Sequence, residues 1–186
     1  MSLTLDSYFE IYKELLFPAG LEALFDAFHL RIRNTKQSGG KLILAGNGAS
    51  ASIASHLATD FSKQAGVRAM TFNESNLITA LGNDCGYENW IARALDLYAD
   101  KEDLLVLISS SGASPNVVNA ARRAREMEVG VVSFTGFDKN NPLGGLADLN
   151  FWVNSRAYNI VECIHMIWLT TACDLLIGKS EYSVMG

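Results

Sequence analysis

The sequence predicts an α/β fold: a three-layer α-β-α sandwich with a five-stranded parallel sheet, preceded by two N-terminal helices. Short apolar runs that suit buried strands alternate with segments whose apolar residues recur at helical spacing. Such repeated βα units form parallel sheets covered on both faces. With 186 residues, 49% hydrophobic and 19% charged, the chain is long enough for one domain with a sizeable core. We therefore expect a single domain over residues 1–186.

The first part of the chain carries two amphipathic helical patterns. Helical spacing runs from Leu3 to about Lys36, and Pro18-Ala19-Gly20 divides it into two helices. Two helices before the first strand are more than a small α/β core needs for cover, so we expect an apolar face buried against a partner. Residues 1–38 are therefore predicted to be an oligomerisation segment, and residues 39–186 the α/β core.

The alternation of strands and helices begins after Gly39-Gly40. Ligand sites in such sheets lie at the carboxyl ends of the strands, so the loops that follow the strands are the first places to expect a site. The predicted strands lie near 41–45, 67–72, 104–108, 130–135 and 149–153, and the predicted helices near 50–64, 86–98, 114–127 and 158–177.

The loop after the first strand has the pattern of an anion site. The apolar run 42–45 ends at Gly46-Asn47-Gly48, and helical spacing resumes from Ser50. A strand, a tight loop and a helix N-terminus bring unpaired backbone N–H groups and the positive end of a helix dipole to one spot. We expect Ser50 to be the N-cap of this helix, and Asn47 and Ser50 to contact a bound phosphate.

A second loop of this kind follows the run 104–108. It reads Ser109-Ser110-Ser111-Gly112-Ala113-Ser114, after which Pro115 begins another helical pattern. Ser114 is predicted to be the N-cap, with Pro115 at the first helical position. The alternative is a serine-rich turn whose hydroxyls satisfy their own backbone. Because the chain carries two such loops, we favour phosphate binding by Ser109, Ser110, Ser111 and Ser114.

Three motifs in chain order resemble the SIS (sugar isomerase) domain, and within it the phosphoheptose isomerase branch: GNGAS at 46–50, LGNDCGYEN at 81–89 and ISSSGAS at 108–114. The resemblance implies a flavodoxin-like fold and a homotetramer in which the N-terminal helices pack. It implies aldose–ketose isomerisation of sedoheptulose 7-phosphate through an enediolate, in heptose and polysaccharide precursor biosynthesis. It also implies that Asn83 and Asp84 contact the sugar, where the residues alone indicate a cap or turn.

Two pairs of side chains are candidates for the chemistry. His56 and Asp60 are four residues apart on the first-loop helix and face the same way, which also suits a surface pair that supports the helix. Glu162 and His165 lie in an otherwise apolar helix, where a carboxylate is costly unless paired, and His165 can equally be a core residue. Isomerisation needs a base for the proton next to the carbonyl and a group that stabilises the enediolate. The catalytic candidates are therefore Asp60, Glu162 and His56.

The resemblance also implies a metal. It matches His56 to a zinc-ligand histidine and Asp60 to a glutamate that serves as ligand and base, so His56, Asp60 and Glu162 are candidate ligands for zinc or another divalent ion. The chain departs from the branch in four places: Asp60 is one methylene shorter than Glu, Glu162 replaces Gln, Cys163 replaces Glu, and Thr170 replaces a second His. Three functions stay open: an isomerase, another phosphosugar reaction on the same anchor, or a non-catalytic module resembling the DnaA initiator-associating protein, which binds a sugar phosphate or a protein partner.

Bulk properties argue against other classes of protein. A net charge of −5 without a Lys/Arg cluster predicts no direct binding of nucleic acid. No apolar run is long enough to cross a membrane, and no GxGxxG motif indicates a nucleotide cofactor. The three cysteines lack metal-type or redox-type spacing, which favours a reducing cytoplasm.

Overall fold

The computed structural model describes residues 3–181, so the predicted domain limits, residues 1 and 186, lie outside the described range. Helices and strands alternate along this part of the chain. The helices are α1 (Leu5–Leu15), α2 (Leu21–Gln37), α3 (Ala49–Lys63), α4 (Ser75–Cys85), α5 (Trp90–Tyr98), α6 (Pro115–Glu126), α7 (Pro142–Leu146) and α8 (Tyr158–Ile177); the strands are β1 (Leu42–Gly46), β2 (Ala69–Thr71), β3 (Leu104–Ser109), β4 (Gly130–Thr135) and β5 (Leu149–Trp152).

The strands form one parallel sheet in the order β2-β1-β3-β4-β5, which is a doubly wound order. β1 pairs on both sides: Leu42 lies opposite Ala69 of β2 and opposite Leu104 of β3. β3 is buried along its whole length and β4 along all but its first residue, which explains why both appear in the sequence as continuous apolar runs. The predicted five-stranded parallel sheet is confirmed.

Helices cover both faces of the sheet. On one face α2, α3 and α8 pack against side chains such as Leu44 and Val106, and the rings of Phe134 and Phe151 stack with their centroids 4.5 Å apart. On the other face α5 and α6 pack against side chains such as Ile43. α1 contacts α8 and has no buried residue of its own. The three layers and the two N-terminal helices are as predicted.

Two helices were not predicted, and one begins later than expected. α4 ends within the LGNDCGYEN motif, and Glu74 caps its first turn by accepting from the backbone N–H of Asn76 at 2.9 Å. The helix expected from residue 86 begins at Trp90, because Gly86 takes a φ of 82° and turns the chain after α4. α7 is a single turn capped by Asn141.

α8 has the length and hydropathy of a membrane-spanning helix, with 20 residues and a mean hydropathy of 1.7 in its most apolar window. The sequence-based expectation that no segment reaches this length is therefore wrong. In the structure α8 is a core helix: eight of its residues are buried, among them Trp168 and Leu169. Helices that are apolar on most sides are typical of such buried positions.

Candidate functional site

The two loops expected to bind phosphate lie side by side at the carboxyl edge of the sheet. They follow β1 and β3, which are neighbours in the sheet. From these strands the chain leaves to opposite faces, because α3 packs in the layer of α2 and α8 while α6 packs in the layer of α5. This divergence opens a crevice outside the strand ends, where doubly wound sheets bind ligands.

Glycines allow the loop after β1 to approach the neighbouring strand. A Cβ on Gly46 would lie 2.7 Å from the carbonyl oxygen of Ile108, which leaves room for glycine alone. Gly48, with a φ of 56°, is the N-cap of α3, and Ser50 lies buried inside the first turn. The prediction that Ser50 is the cap is therefore wrong, because the left-handed glycine starts the helix before the serine. No side chain caps α3, so its first backbone N–H groups lack a side-chain partner.

The loop after β3 presents hydroxyl groups that are only partly used by the protein. Ser114 is the N-cap of α6 with Pro115 at the first position, as predicted, but its hydroxyl makes no capping bond. Ser109 Oγ donates to Ser114 Oγ at 3.5 Å, and Ser111 Oγ accepts from a backbone N–H two residues on at 3.2 Å. Ser110 is 5% exposed, and its hydroxyl has no partner among the described residues. A buried hydroxyl without a partner is costly, so Ser110, which lines the pocket described next, is a candidate donor to a ligand.

A pocket of about 90 Å³ lies between these two loops and α8. Its lining among the described residues is rich in hydroxyl groups and holds no lysine or arginine: Asn47, Ser50, Ile108, Ser109, Ser110, Ser111, Ser114, Tyr158 and Glu162. The helices that border it, α3, α6 and α8, all begin without a side-chain cap. Uncapped helix N-termini and hydroxyl donors favour an anion such as a phosphate group.

Asn47, which was predicted to bind phosphate, uses its side chain to hold the two loops together. Its amide exchanges hydrogen bonds with the amide of Asn116, at 2.9 and 2.8 Å, and its oxygen also accepts from the Tyr87 hydroxyl at 3.0 Å. Phosphate binding by Asn47 stays a prediction. The contacts of Asn116 and Tyr87 with Asn47 could not be predicted from the sequence, because these residues lie 69 and 40 positions from Asn47 and no local pattern indicates such pairs.

Gly112 connects the serine loop to a second layer of residues. It has a φ of 61°, and a Cβ at this position would overlap the side chain of Asn141. Asn141 is buried; its amide donates to Thr135 Oγ1 at 3.1 Å, and its oxygen accepts from the N–H of Gly144 at 2.8 Å. The N–H of Leu143 donates to the carbonyl of Gly112 at 2.9 Å. The shape of the serine loop therefore depends on close packing against Asn141.

Glu162 and His165 of α8 have different surroundings. Glu162 is half-buried and is the carboxylate that lines the pocket, among the residues described. His165 is completely buried, with Nε2 3.0 Å from the carbonyl oxygen of Thr135 and Nδ1 unpartnered within the described chain. Burial lowers the pKa of His165 to about 4, so the imidazole is neutral at pH 7. His165 is therefore a core residue and does not line the pocket.

His56 and Asp60 form a pair on α3 that does not line the pocket. Nε2 of His56 lies 3.2 Å from Oδ2 of Asp60, and the histidine side chain is 53% exposed. Between residues 3 and 181, no three His, Cys, Asp or Glu side chains come together in a way that could hold a metal ion. His56, Asp60 and Glu162 do not form such a group within one chain, and metal binding by these residues stays a prediction.

Asn83 and Asp84 are exposed in the last turn of α4, where the Asn83 amide donates to the Asp84 carboxylate at 3.0 Å. Neither residue lines the pocket. Their contact with a sugar stays a prediction.

Comparison with known proteins agrees with the resemblance that the three sequence motifs indicate. The SIS domain family matches residues 20–136. A phosphoheptose isomerase of Helicobacter pylori is 33% identical over 161 residues, which is 83% of this chain and 83% of that protein. The structure of a phosphoheptose isomerase from Francisella tularensis aligns with a TM-score of 0.82 at 24% identity, covering 94% of this chain and 98% of the other. One from Neisseria gonorrhoeae aligns with a TM-score of 0.79 at 25% identity, covering 84% and 87%.

Proposed function

Because the chain belongs to the SIS domain family, in its phosphoheptose isomerase branch, we propose that it isomerises a heptose 7-phosphate between its ketose and aldose forms through an enediolate. Sedoheptulose 7-phosphate is the proposed substrate. The observation that supports this most strongly is the pocket: uncapped helix N-termini and the unpartnered Ser110 hydroxyl form an anion site with Glu162 at its edge.

The proposed complex holds the phosphate among the serine hydroxyls and the first backbone N–H groups of the bordering helices. Without a lysine or arginine in the described lining, these donors supply the binding energy. Each hydrogen bond to a charged group contributes about 1.5–3 kcal/mol. A pocket of about 90 Å³ is filled by a phosphate group, so the sugar extends outward past Glu162.

Glu162 is the proposed base, because it lines the pocket while Asp60 does not. Its carboxylate takes the proton from the carbon next to the carbonyl, which leaves the enediolate. The hydroxyl on the deprotonated carbon passes its proton to the former carbonyl oxygen, and the Glu162 carboxylic acid returns its proton to the former carbonyl carbon, so the ketose has become an aldose with no net gain or loss of electrons. A catalytic role for His56 or Asp60, the other candidates, requires the sugar to extend along α3.

A comparison of carboxylate variants tests this assignment. Glu162→Gln should lower kcat with sedoheptulose 7-phosphate by about 10²- to 10⁴-fold, the usual contribution of a positioned base. Its affinity for inorganic phosphate should not fall, because the amide carries no charge to repel the anion. Glu102→Gln is the matched control, since this exposed carboxylate lies before β3, at the opposite end of the sheet. If Asp60→Asn abolishes turnover and Glu162→Gln does not, the base is Asp60.

A non-catalytic module that binds a sugar phosphate is the second candidate, and the surroundings of Thr170 favour it. The Thr170 hydroxyl donates to the carbonyls of Met166 and Ile167 in its own helix, at 2.9 and 3.0 Å. His165 is buried and neutral, so α8 brings no imidazole to the pocket. Tight binding of sedoheptulose 7-phosphate without turnover would support this module, which resembles the DnaA initiator-associating protein.

We also propose that the chain forms a homo-oligomer, a tetramer, through its N-terminal helices. On and after α1, Leu5, Phe9 and Phe17 are 72%, 54% and 82% exposed. A cavity of about 770 Å³, lined mainly by apolar side chains, lies between the α1–α2 connection and α8. A second copy over this face would remove apolar surface from water, which stabilises by about 25 cal/mol per Å².

A further inference from the structure

Tyr158 is an exposed aromatic residue at the edge of the phosphate pocket. It is the first residue of α8, is 59% exposed, and lines the pocket together with Glu162. The two residues are four apart, so they lie on the same face of the helix. Tyr158 makes no hydrogen bond to another residue of the described chain through its hydroxyl, which leaves that group free for a ligand.

The ring of Tyr158 is held by Phe137. The two rings meet edge to face, with centroids 4.8 Å apart and planes at 74°. Phe137 has a φ of 55°, a left-handed conformation that is unfavourable for a bulky side chain, and residues strained in this way cluster at functional sites.

Neighbouring hydrogen bonds fix this unfavourable turn to the serine loop. The N–H of Phe137 donates to the carbonyl of Ser155, and the N–H of Gly136 donates to the carbonyl of Ser110, both at 2.9 Å. A Cβ on Gly136 would lie 2.8 Å from a methyl of Val161, so the turn is also packed against α8. The serine loop, the Phe137 turn and the start of α8 are therefore one connected support for the pocket.

The composition of the pocket explains why a tyrosine is useful there. Its described lining includes no basic side chain, and the Asn47 amide is engaged with Asn116. The Glu162 carboxylate is an acceptor of hydrogen bonds and offers a phosphate no donor. Of the two α8 side chains in the lining, Tyr158 and Glu162, the Tyr158 hydroxyl is the one that can donate to a phosphate.

We propose that Tyr158 is a substrate-binding residue whose hydroxyl donates a hydrogen bond to the phosphate, and that Phe137 is the positioning residue that holds its ring. This inference rests on the proposed function, because it assumes that a phosphate occupies the pocket. It adds a residue from α8 to an anchor otherwise built from the loops after β1 and β3.

Titration of the full-length protein with inorganic phosphate and with sedoheptulose 7-phosphate tests the proposal. Tyr158→Phe should raise the Kd of both ligands about tenfold, the effect of one hydrogen bond to a charged group. Tyr98→Phe is the matched control, because Tyr98 is also exposed and also lies against a phenylalanine, Phe72, with ring centroids 5.9 Å apart. It should leave both Kd values unchanged.

Phe137→Gly supplies a second variant that keeps the left-handed backbone and removes the ring. It should weaken phosphate binding in the wild-type background and have no further effect in Tyr158→Phe, because both changes remove the same contact. Additive effects of the two substitutions would overturn the positioning role of Phe137.

The outcomes separate this inference from the function on which it rests. Wild-type protein that binds neither ligand would overturn the proposed function and the Tyr158 contact together. Wild-type protein that binds both, with Tyr158→Phe equal to wild type, would overturn the Tyr158 contact alone. A loss confined to the sugar phosphate would also overturn it, because the hydroxyl would then contact the sugar.

Discussion

Replacing Ser110 by alanine should make the protein more stable and at the same time weaken its binding of phosphate. Ser110 is 5% exposed, and its hydroxyl has no partner among the described residues. In the free protein no described residue offers this hydroxyl a hydrogen bond, whereas in the proposed complex it donates to a phosphate oxygen. Because the substitution removes a single oxygen and keeps Cβ, the packing around it changes little.

The two effects have opposite signs and sizes that can be measured. A buried polar group without a partner costs about 1–3 kcal/mol, so Ser110→Ala should raise the free energy of unfolding by about 1 kcal/mol. For a domain of this size, that change raises Tm by about 2–4 °C. The lost hydrogen bond to a charged ligand contributes about 1.5–3 kcal/mol, so the Kd for inorganic phosphate should rise about 10- to 100-fold.

Urea unfolding followed by circular dichroism measures the first effect, and calorimetric titration with inorganic phosphate the second. Ser133→Ala is the matched control, because the Ser133 hydroxyl is also buried but donates to Asn150 at 2.8 Å and does not line the pocket. This control should lose stability and keep its phosphate affinity. A Ser110→Ala protein that is less stable than wild type, or that binds phosphate as tightly, would refute the reasoning.

Three further predictions concern the loop, the core and the surface. Gly112→Ala should remove phosphate binding in the same titration and lower stability by more than about 1 kcal/mol, because a Cβ would overlap Asn141 and φ is 61°. Gly145→Ala, whose Cβ would meet no atom within 4 Å, should leave binding intact; equal losses in both variants would contradict this. Burial lowers the pKa of His165 from 6.5 to about 4, so between these pH values the unfolded chain binds a proton that the folded chain does not. Stability present above about pH 6.5 should therefore be lost progressively down to about pH 4, by about 3 kcal/mol in urea unfolding. His165→Gln should lack this part of the pH dependence, and an identical slope would show that another group causes it. Phe17→Glu, at a position that is 82% exposed, should dissociate the proposed oligomer in light scattering, and a wild-type monomer would contradict that assembly.

The sheet was predictable because its signals are local and continuous. β1 and β3 are buried on both faces, so each appears as an unbroken apolar run that ends at a glycine or serine. The orientation of α8 was harder to predict, because apolar residues surround most of the helix and their spacing does not show which side faces the core. Only the packed structure separates Glu162, which lines the pocket, from His165, which lies in the core.

The site was predictable where its chemistry depends on adjacent residues. A serine before Pro115 identified the cap of α6, whereas the start of α3 was misplaced because the φ of Gly48 decides it. Asn141 packs against Gly112, which is distant in the chain, and Phe137 depends on an unusual backbone angle. Neither feature can be predicted from the composition of the chain. Helical spacing placed His56 on one face with its acid partner, but it cannot show where that face lies relative to the pocket.

The most direct test of an enediolate mechanism is deuterium exchange from D₂O into sedoheptulose 7-phosphate at the carbon next to the carbonyl, followed by NMR with and without added zinc. We predict that the wild-type protein catalyses this exchange. We also predict that Glu162→Gln loses the exchange while it still binds inorganic phosphate. A wild-type protein that binds the sugar phosphate and exchanges no proton would contradict the isomerase and leave the binding module in its place.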